Sequence, residues 1–266
     1  MRVSKICVAV TGFCVVLGSG TAVAQHYDYA DLPDWSGVWG PTANTVFDQA
    51  TIQPPGANAN DIDAQEFPPY NEEWQTKYDA NRALKAQGQF PDPISTCGTP
   101  AGFPRMMNLP GASEFVVRPE QVWILTEDGP NIMRIYTDGR DHPGPNDRWP
   151  TYSGESVGHW EGDTLVFETI SLKAEMILDR TGLVLSDQAR IVTRMRKIED
   201  DLIEARFAID DPVALTETWH VVIEYRRFEP GTRMIEFACA ENNRNPVDAS
   251  GRTLTLDREG NILDQL

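Results

Sequence analysis

From Phe115 onward the chain alternates apolar and polar residues in short runs. In Ala189–Ile198, Ala189, Ile191, Thr193 and Met195 fall on one face, and Arg190, Val192, Arg194 and Arg196 on the other. In Leu202–Ile209, Ile203, Ala205, Phe207 and Ile209 oppose Glu204 and Arg206. In Thr218–Phe228, Trp219, Val221, Ile223 and Tyr225 oppose His220, Glu224 and Arg226. A period of two puts successive side chains on opposite faces of a strand, so each run predicts a strand with one buried and one solvated face. Similar runs cover Glu114–Val117, Val122–Thr126, Ile132–Thr137, Glu155–Trp160, Thr164–Thr169, Arg233–Cys239 and Thr253–Leu256. Most links are tight: Glu127-Asp128-Gly129-Pro130, Glu161-Gly162-Asp163, Glu199-Asp200-Asp201 and Glu229-Pro230-Gly231. Short strands joined by hairpin turns predict an antiparallel meander. So many strands in one sheet must curl or close, and closure removes the edges. The expected fold is all-β, an antiparallel up-and-down β-barrel, with a β-sandwich as the alternative.

Upstream the pattern changes. Gly40 to Pro69 and Pro91 to Pro110 are rich in turn residues and show no period, which predicts long loops. Between them, Asn71 to Gln87 reads as the one helix. Asn71 suits the N-cap, Glu72 and Glu73 the first turn, and Gly88 the end. Tyr70, Trp74 and Tyr78 share one face of it, expected to pack on the body. Gly37-Val38-Trp39 opens a first strand. The expected organisation is a signal segment over 1–24, a loop-and-helix extension with the first strand over 25–110, and the meander over 111–266, the last two forming one barrel domain.

The secretory signal is read from Arg2 and Lys5, the apolar run Ile6 to Val16, and the A-x-A site Ala22-Val23-Ala24. That run is too short to span a bilayer as a helix, and the expected location is the periplasm or the exterior. The formal charge is −17. Such acidity disfavours nucleic acid and anionic membrane surfaces as partners, since both select basic patches. Outside the signal, Cys97 and Cys239 form an even pair in an oxidising compartment, which suggests a structural disulfide. Two separate buried thiols and one reactive thiol are the alternatives.

Candidate chemistry gathers in two stretches. Gly154-Glu155-Ser156-Val157-Gly158-His159 is a strand bearing an acid and an imidazole between two glycines, and glycine inside a strand marks a bend or a close approach. The second runs from Tyr136 through Asp138-Gly139-Arg140-Asp141-His142, a polar turn after an apolar strand, where sites are often built. The candidate catalytic residues are Glu155 and His142 as proton donor and acceptor, with Arg140 holding developing negative charge. Arg105, Tyr136, Tyr152 and Trp160 are the candidate substrate contacts, with Trp160 or Tyr152 shielding Glu155. The expected ligand cavity is the barrel lumen, with its mouth near the Asp138–Tyr152 loop. No metal is expected, and no organic cofactor, since no P-loop, dinucleotide fingerprint or HExxH is present.

Cys97-x-x-Pro100-x-Gly102-x-Pro104-Arg105-Met106, Tyr136-Thr137-Asp138-Gly139-Arg140-Asp141-His142-Pro143 and Gly158-His159-Trp160-Glu161-Gly162-Asp163-Thr164-Leu165-Val166 together resemble a broad family of secreted bacterial proteins of unsettled function. The likeness runs from roughly Trp35 to Asn242. This chain has Gly154-Glu155-Ser156 where many members have Gly-His-Ser, and Leu185-Ser186 where many have histidine before the serine. The resemblance thus implies that any role of those histidines is lost or altered here. Gly37-Val38-Trp39 is similar to the opening of lipocalin-like barrels, which implies binding of a small apolar molecule. Two functions follow as expectations. One is a cofactor-independent lyase, isomerase or hydrolase using acid–base catalysis on a small apolar or aromatic molecule. The other is a non-catalytic lipocalin-like binding protein.

Overall fold

The computed structural model describes residues 28–42, 68–87, 99–128, 131–178 and 182–235. Its strands are β1 (Val38–Pro41), β2 (Ser113–Val117), β3 (Gln121–Thr126), β4 (Asn131–Tyr136), β5 (Glu155–Glu161), β6 (Thr164–Ile170), β7 (Arg190–Glu199), β8 (Leu202–Asp210) and β9 (Trp219–Arg227). Each strand pairs with the next, and β1 pairs with β9, so the sheet closes as a barrel. The extension over 25–110 supplies the closing strand β1.

Alternation sorts the wall as expected. Ile191, Thr193 and Met195 point inward and are buried, while Arg190, Arg194 and Arg196 are exposed outside. The same parity holds in β8 and β9, with Phe207, Trp219 and Tyr225 inside, though Glu204 on the outer face of β8 is itself buried beside Arg206. One pairing departs from the antiparallel meander. β4 and β5 run parallel, through Ile135↔Ser156 and Tyr136↔Val157. A parallel pair needs a crossover rather than a hairpin, and the long connection 137–154 provides it. The turn after β5 is also one residue shorter than the expected link Glu161-Gly162-Asp163. Glu161 pairs with Thr164, so the loop is only Gly162-Asp163, with Gly162 at φ +65°.

Among the described residues the lumen is filled by side chains where an open apolar cavity was expected. The turn Arg105–Asn108 is buried at all four residues. Just before it, Phe103 packs between Phe167 and Phe207, with ring centroids 6.0 Å from each. Trp35 enters against Phe115 and Trp160. The Tyr225 hydroxyl donates to the carbonyl of Met107. Each large side chain so buried contributes about 1.5–3 kcal/mol relative to exposure. An eight-to-nine-stranded barrel is just wide enough for side chains to fill, and here the 99–110 segment adds its own.

Helix α1 (Glu72–Ala86) starts where Asn71 Oδ1 accepts the N–H of Trp74 at 3.1 Å. Trp74 and Tyr78 are buried and Tyr70 stacks near Tyr78. The Tyr70 hydroxyl donates to Val184 O at 2.6 Å, tying the helix to the β6–β7 connection. After β9, Thr232 N–H closes the Glu229-Pro230-Gly231 turn at 3.1 Å, but 233–235 form no strand. Cys97, Cys239, the signal segment 1–24 and the expected strand Thr253–Leu256 lie outside the described residues.

Candidate functional site

Glu155 and His142 meet, but on the outer wall. In β5, Ser156 and Trp160 are buried inward, so Glu155, Val157 and His159 face out. Gly154 enters the strand at φ +68°, in the left-handed region where glycine is favoured. Gly158 has ordinary backbone, yet a Cβ there would come within 2.5 Å of Val166 O and 2.7 Å of Phe167 Cβ. The two glycines therefore serve an entry turn and a close strand approach. The crossover 137–154 lies over this part of the wall. It brings the His142 imidazole between two carboxylates: Nδ1 contacts Glu155 Oε2, and Nε2 lies 3.4 Å from Glu168 Oε1. Arg190 then pairs with the other oxygen of Glu168. That ion pair raises the Arg190 pKa above its ordinary value, chiefly through the hydrogen bond. The His142 side chain is only 12% exposed.

The result is a chain of partners, Glu155–His142–Glu168–Arg190, spanning the crossover, β5, β6 and β7. Nδ1 meets Glu155, while Nε2 is buried toward Glu168 without making a hydrogen bond. Chemically this fastens the crossover to the wall, and neither ring nitrogen is left facing solvent or a cavity. Glu168 and Arg190 were not singled out from sequence. Alternation puts both on the outer face, but only the register Val157↔Glu168 sets them beside Glu155.

The other expected residues disperse. Arg140 is held by Asp138, with Nε–Oδ1 at 2.9 Å and Nη2–Oδ2 at 2.6 Å, and stacks 3.9 Å over the half-buried Tyr136 ring. The hydrogen bonds from Arg140 hold the Asp138 carboxyl below its usual range. The arginine's fork is thus occupied by its neighbour. Arg105 is buried at the plug and donates to Ile177 O at 3.3 Å. Tyr152 is half-buried beneath Lys173. Its carbonyl accepts Phe103 N–H at 2.8 Å. Trp160 is 3% exposed and edge-on to Trp35 in the core. It lies on the opposite face of β5 from Glu155 and does not shield it. His159 is exposed, 3.2 Å from Glu161. Among the described residues, no three His, Cys, Asp or Glu are arranged to hold a metal ion. Nor is any helix there long and apolar enough to cross a membrane.

A concave site does exist elsewhere. β1 meets β2 only at Ser113 and Glu114. Beyond that point the segment 29–37 runs beside Phe115–Arg118 without joining it as a strand, and the two enclose a groove of about 560 Å³. Leu32, Pro33, Trp35, Phe115 and Val117 give it an apolar floor, with Glu114 and Arg118 toward its ends. Asp34, also at the groove, is held below its usual pKa first by a hydrogen bond from the Ser36 side chain and then by Ser36 N–H, which it accepts at 2.9 Å. Sequence reasoning missed this site. It depends on where β1 stops pairing, and alternation does not encode that.

Among the described residues, nine strands in chain order close through β1 and β9 as a lipocalin-like barrel whose interior they and the 99–110 segment fill. No family model matches the chain. No curated protein matches it. Among solved structures it is similar to a secretory abundant heat soluble (SAHS) protein from Ramazzottius varieornatus. The identity is 12%, the TM-score 0.31, and the match covers 73% of this chain and 95% of that one. A likeness at that score carries no functional argument, and the fold assignment rests on the strand order itself.

Proposed function

We propose that the protein is a non-catalytic barrel that binds a small, largely apolar or aromatic molecule in the groove between segment 29–37 and β2. The observation that carries this reading is the groove itself. Its volume, about 560 Å³, falls within the range of small-molecule sites, which are concave, mostly apolar and supplied with a few polar groups. The acid–base reading has less support. Glu155 and His142 do touch, but on the outer wall and away from the groove, with Nδ1 taken by Glu155 and Nε2 buried without a hydrogen bond. A general base needs a nitrogen within reach of its substrate's proton.

Nile red, an uncharged apolar dye, tests the site. It should bind with a fluorescence rise and one dominant site per chain. Leu32→Arg, which puts a charge into the groove, should weaken binding by about tenfold or more, since burying an unpaired charge is costly. Glu155→Gln should leave binding unchanged. If Nile red does not bind, or binds Leu32→Arg as well as the native chain, the groove is not the site.

A further inference from the structure

Resting on that binding reading, we infer that the groove's ligand is an aromatic carboxylate, its acid group held by Arg118. Two donors at the groove have no protein partner. Arg118 makes no ion pair among the described residues; its guanidinium lies 5.9 Å from the centre of the Tyr29 ring. The indole Nε1–H of Trp35, a residue 1% exposed, finds no acceptor.

The chain carries 40 acidic and 23 basic residues, yet no carboxylate among the described residues pairs with Arg118. Elsewhere on the wall Arg140, Arg190, Arg194 and Arg226 are each paired. A buried N–H without an acceptor costs about 1–3 kcal/mol, and native structures leave few of them.

The charges facing the groove fix the ligand's orientation. Asp34 is already satisfied by Ser36. Glu114 sits four residues along β2 from Arg118, about 13 Å at ~3.3 Å per residue. The negative end of a ligand therefore belongs at Arg118, away from Glu114. Its apolar body lies along Leu32, Phe115 and Val117. Arginine suits this task because its planar fork matches a carboxylate with two parallel hydrogen bonds. The Tyr29 ring beneath it supports the cation by its electron-rich face.

Three probes matched in shape test the assignment: 2-naphthoate, 2-naphthylmethanol and 2-naphthylmethylamine, titrated calorimetrically into the native chain. Naphthoate should bind about tenfold or more tighter than the alcohol, consistent with one charge-assisted contact. Arg118→Gln should erase that advantage while leaving the alcohol's affinity unchanged, and Arg118→Lys should restore part of it. Arg118 is exposed, so these variants keep the fold, and melting curves check it. Equal binding of naphthoate and alcohol, or tightest binding of the amine, would overturn the carboxylate assignment while leaving the binding reading intact. So would naphthoate affinity indifferent to Arg118→Gln. If none of the three binds and Nile red also fails, the binding reading falls and this inference falls with it.

Discussion

The phenol of Tyr225 lies inside the barrel, 1% exposed, and donates to the Met107 carbonyl. Burial pushes its pKa well above the ordinary value near 10. The sign of the consequence follows from linkage. Above about pH 10 the unfolded chain loses this proton while the folded chain keeps it, so stability falls as pH rises through that range. Below pH 10 both states hold the proton and the stabilisation is fully present. Tyr225→Phe should cost about 1 kcal/mol at neutral pH by losing the hydrogen bond. It should also flatten the alkaline decline measured by urea unfolding between pH 9 and 11. An unchanged slope in the variant would assign the decline to other groups. His142 makes a different residue-scale prediction. His142→Ala leaves Glu155 and Glu168 without their shared partner, which should destabilise by about 1–3 kcal/mol. The crossover 137–154 should then be cut faster by a protease. Cleavage at the native rate would mean that the histidine does not fasten it.

At the scale of elements, legibility followed amphipathicity. β7, β8 and β9 were readable residue by residue because one face is apolar and the other charged, and a slip of one residue would invert every side chain. The helix was readable because Asn71 caps it and an aromatic stripe faces the body. The parallel pairing of β4 with β5 was not, because the inward pattern of a strand is the same whichever way its neighbour runs. The 99–110 segment was read only as part of the loop Pro91 to Pro110, on its turn residues, yet it supplies the barrel's filling. Its apolar residues Phe103, Met106 and Met107 carry no period to betray that. The candidate site was half legible. Glu155 and His142 were expected to converge and do. Period-two parity alone separates Glu155 from Trp160, and therefore puts the acid outside. The filling itself is testable. Phe103→Ala removes a ring between Phe167 and Phe207, and should cost about 3–5 kcal/mol as a large-to-small core change. If Phe103 instead lay on a loosely held loop, the loss measured by urea unfolding would stay under about 1 kcal/mol.

For the whole molecule, charge decides between two opposing salt effects. The chain carries a formal −17, and such an excess disfavours the compact state by self-repulsion. Against this stand the ion pairs of the outer wall, which salt weakens. Those pairs are wet: Arg194 with Glu161 and Arg226 with Asp201 leave every partner close to half exposed. Exposed pairs of this kind contribute about 0–1 kcal/mol each. The repulsion acts over the whole surface, and its range shrinks from about 30 Å at 0.01 M salt to about 8 Å at 0.15 M. Screening should therefore remove more repulsion than attraction. The melting temperature in calorimetry should rise as sodium chloride increases from 10 to 150 mM, with most of the gain in the first part of that range. A fall over the same range would mean that the Glu155–His142–Glu168–Arg190 chain and its neighbours outweigh the net charge. Their role would then extend from holding one crossover to holding the barrel.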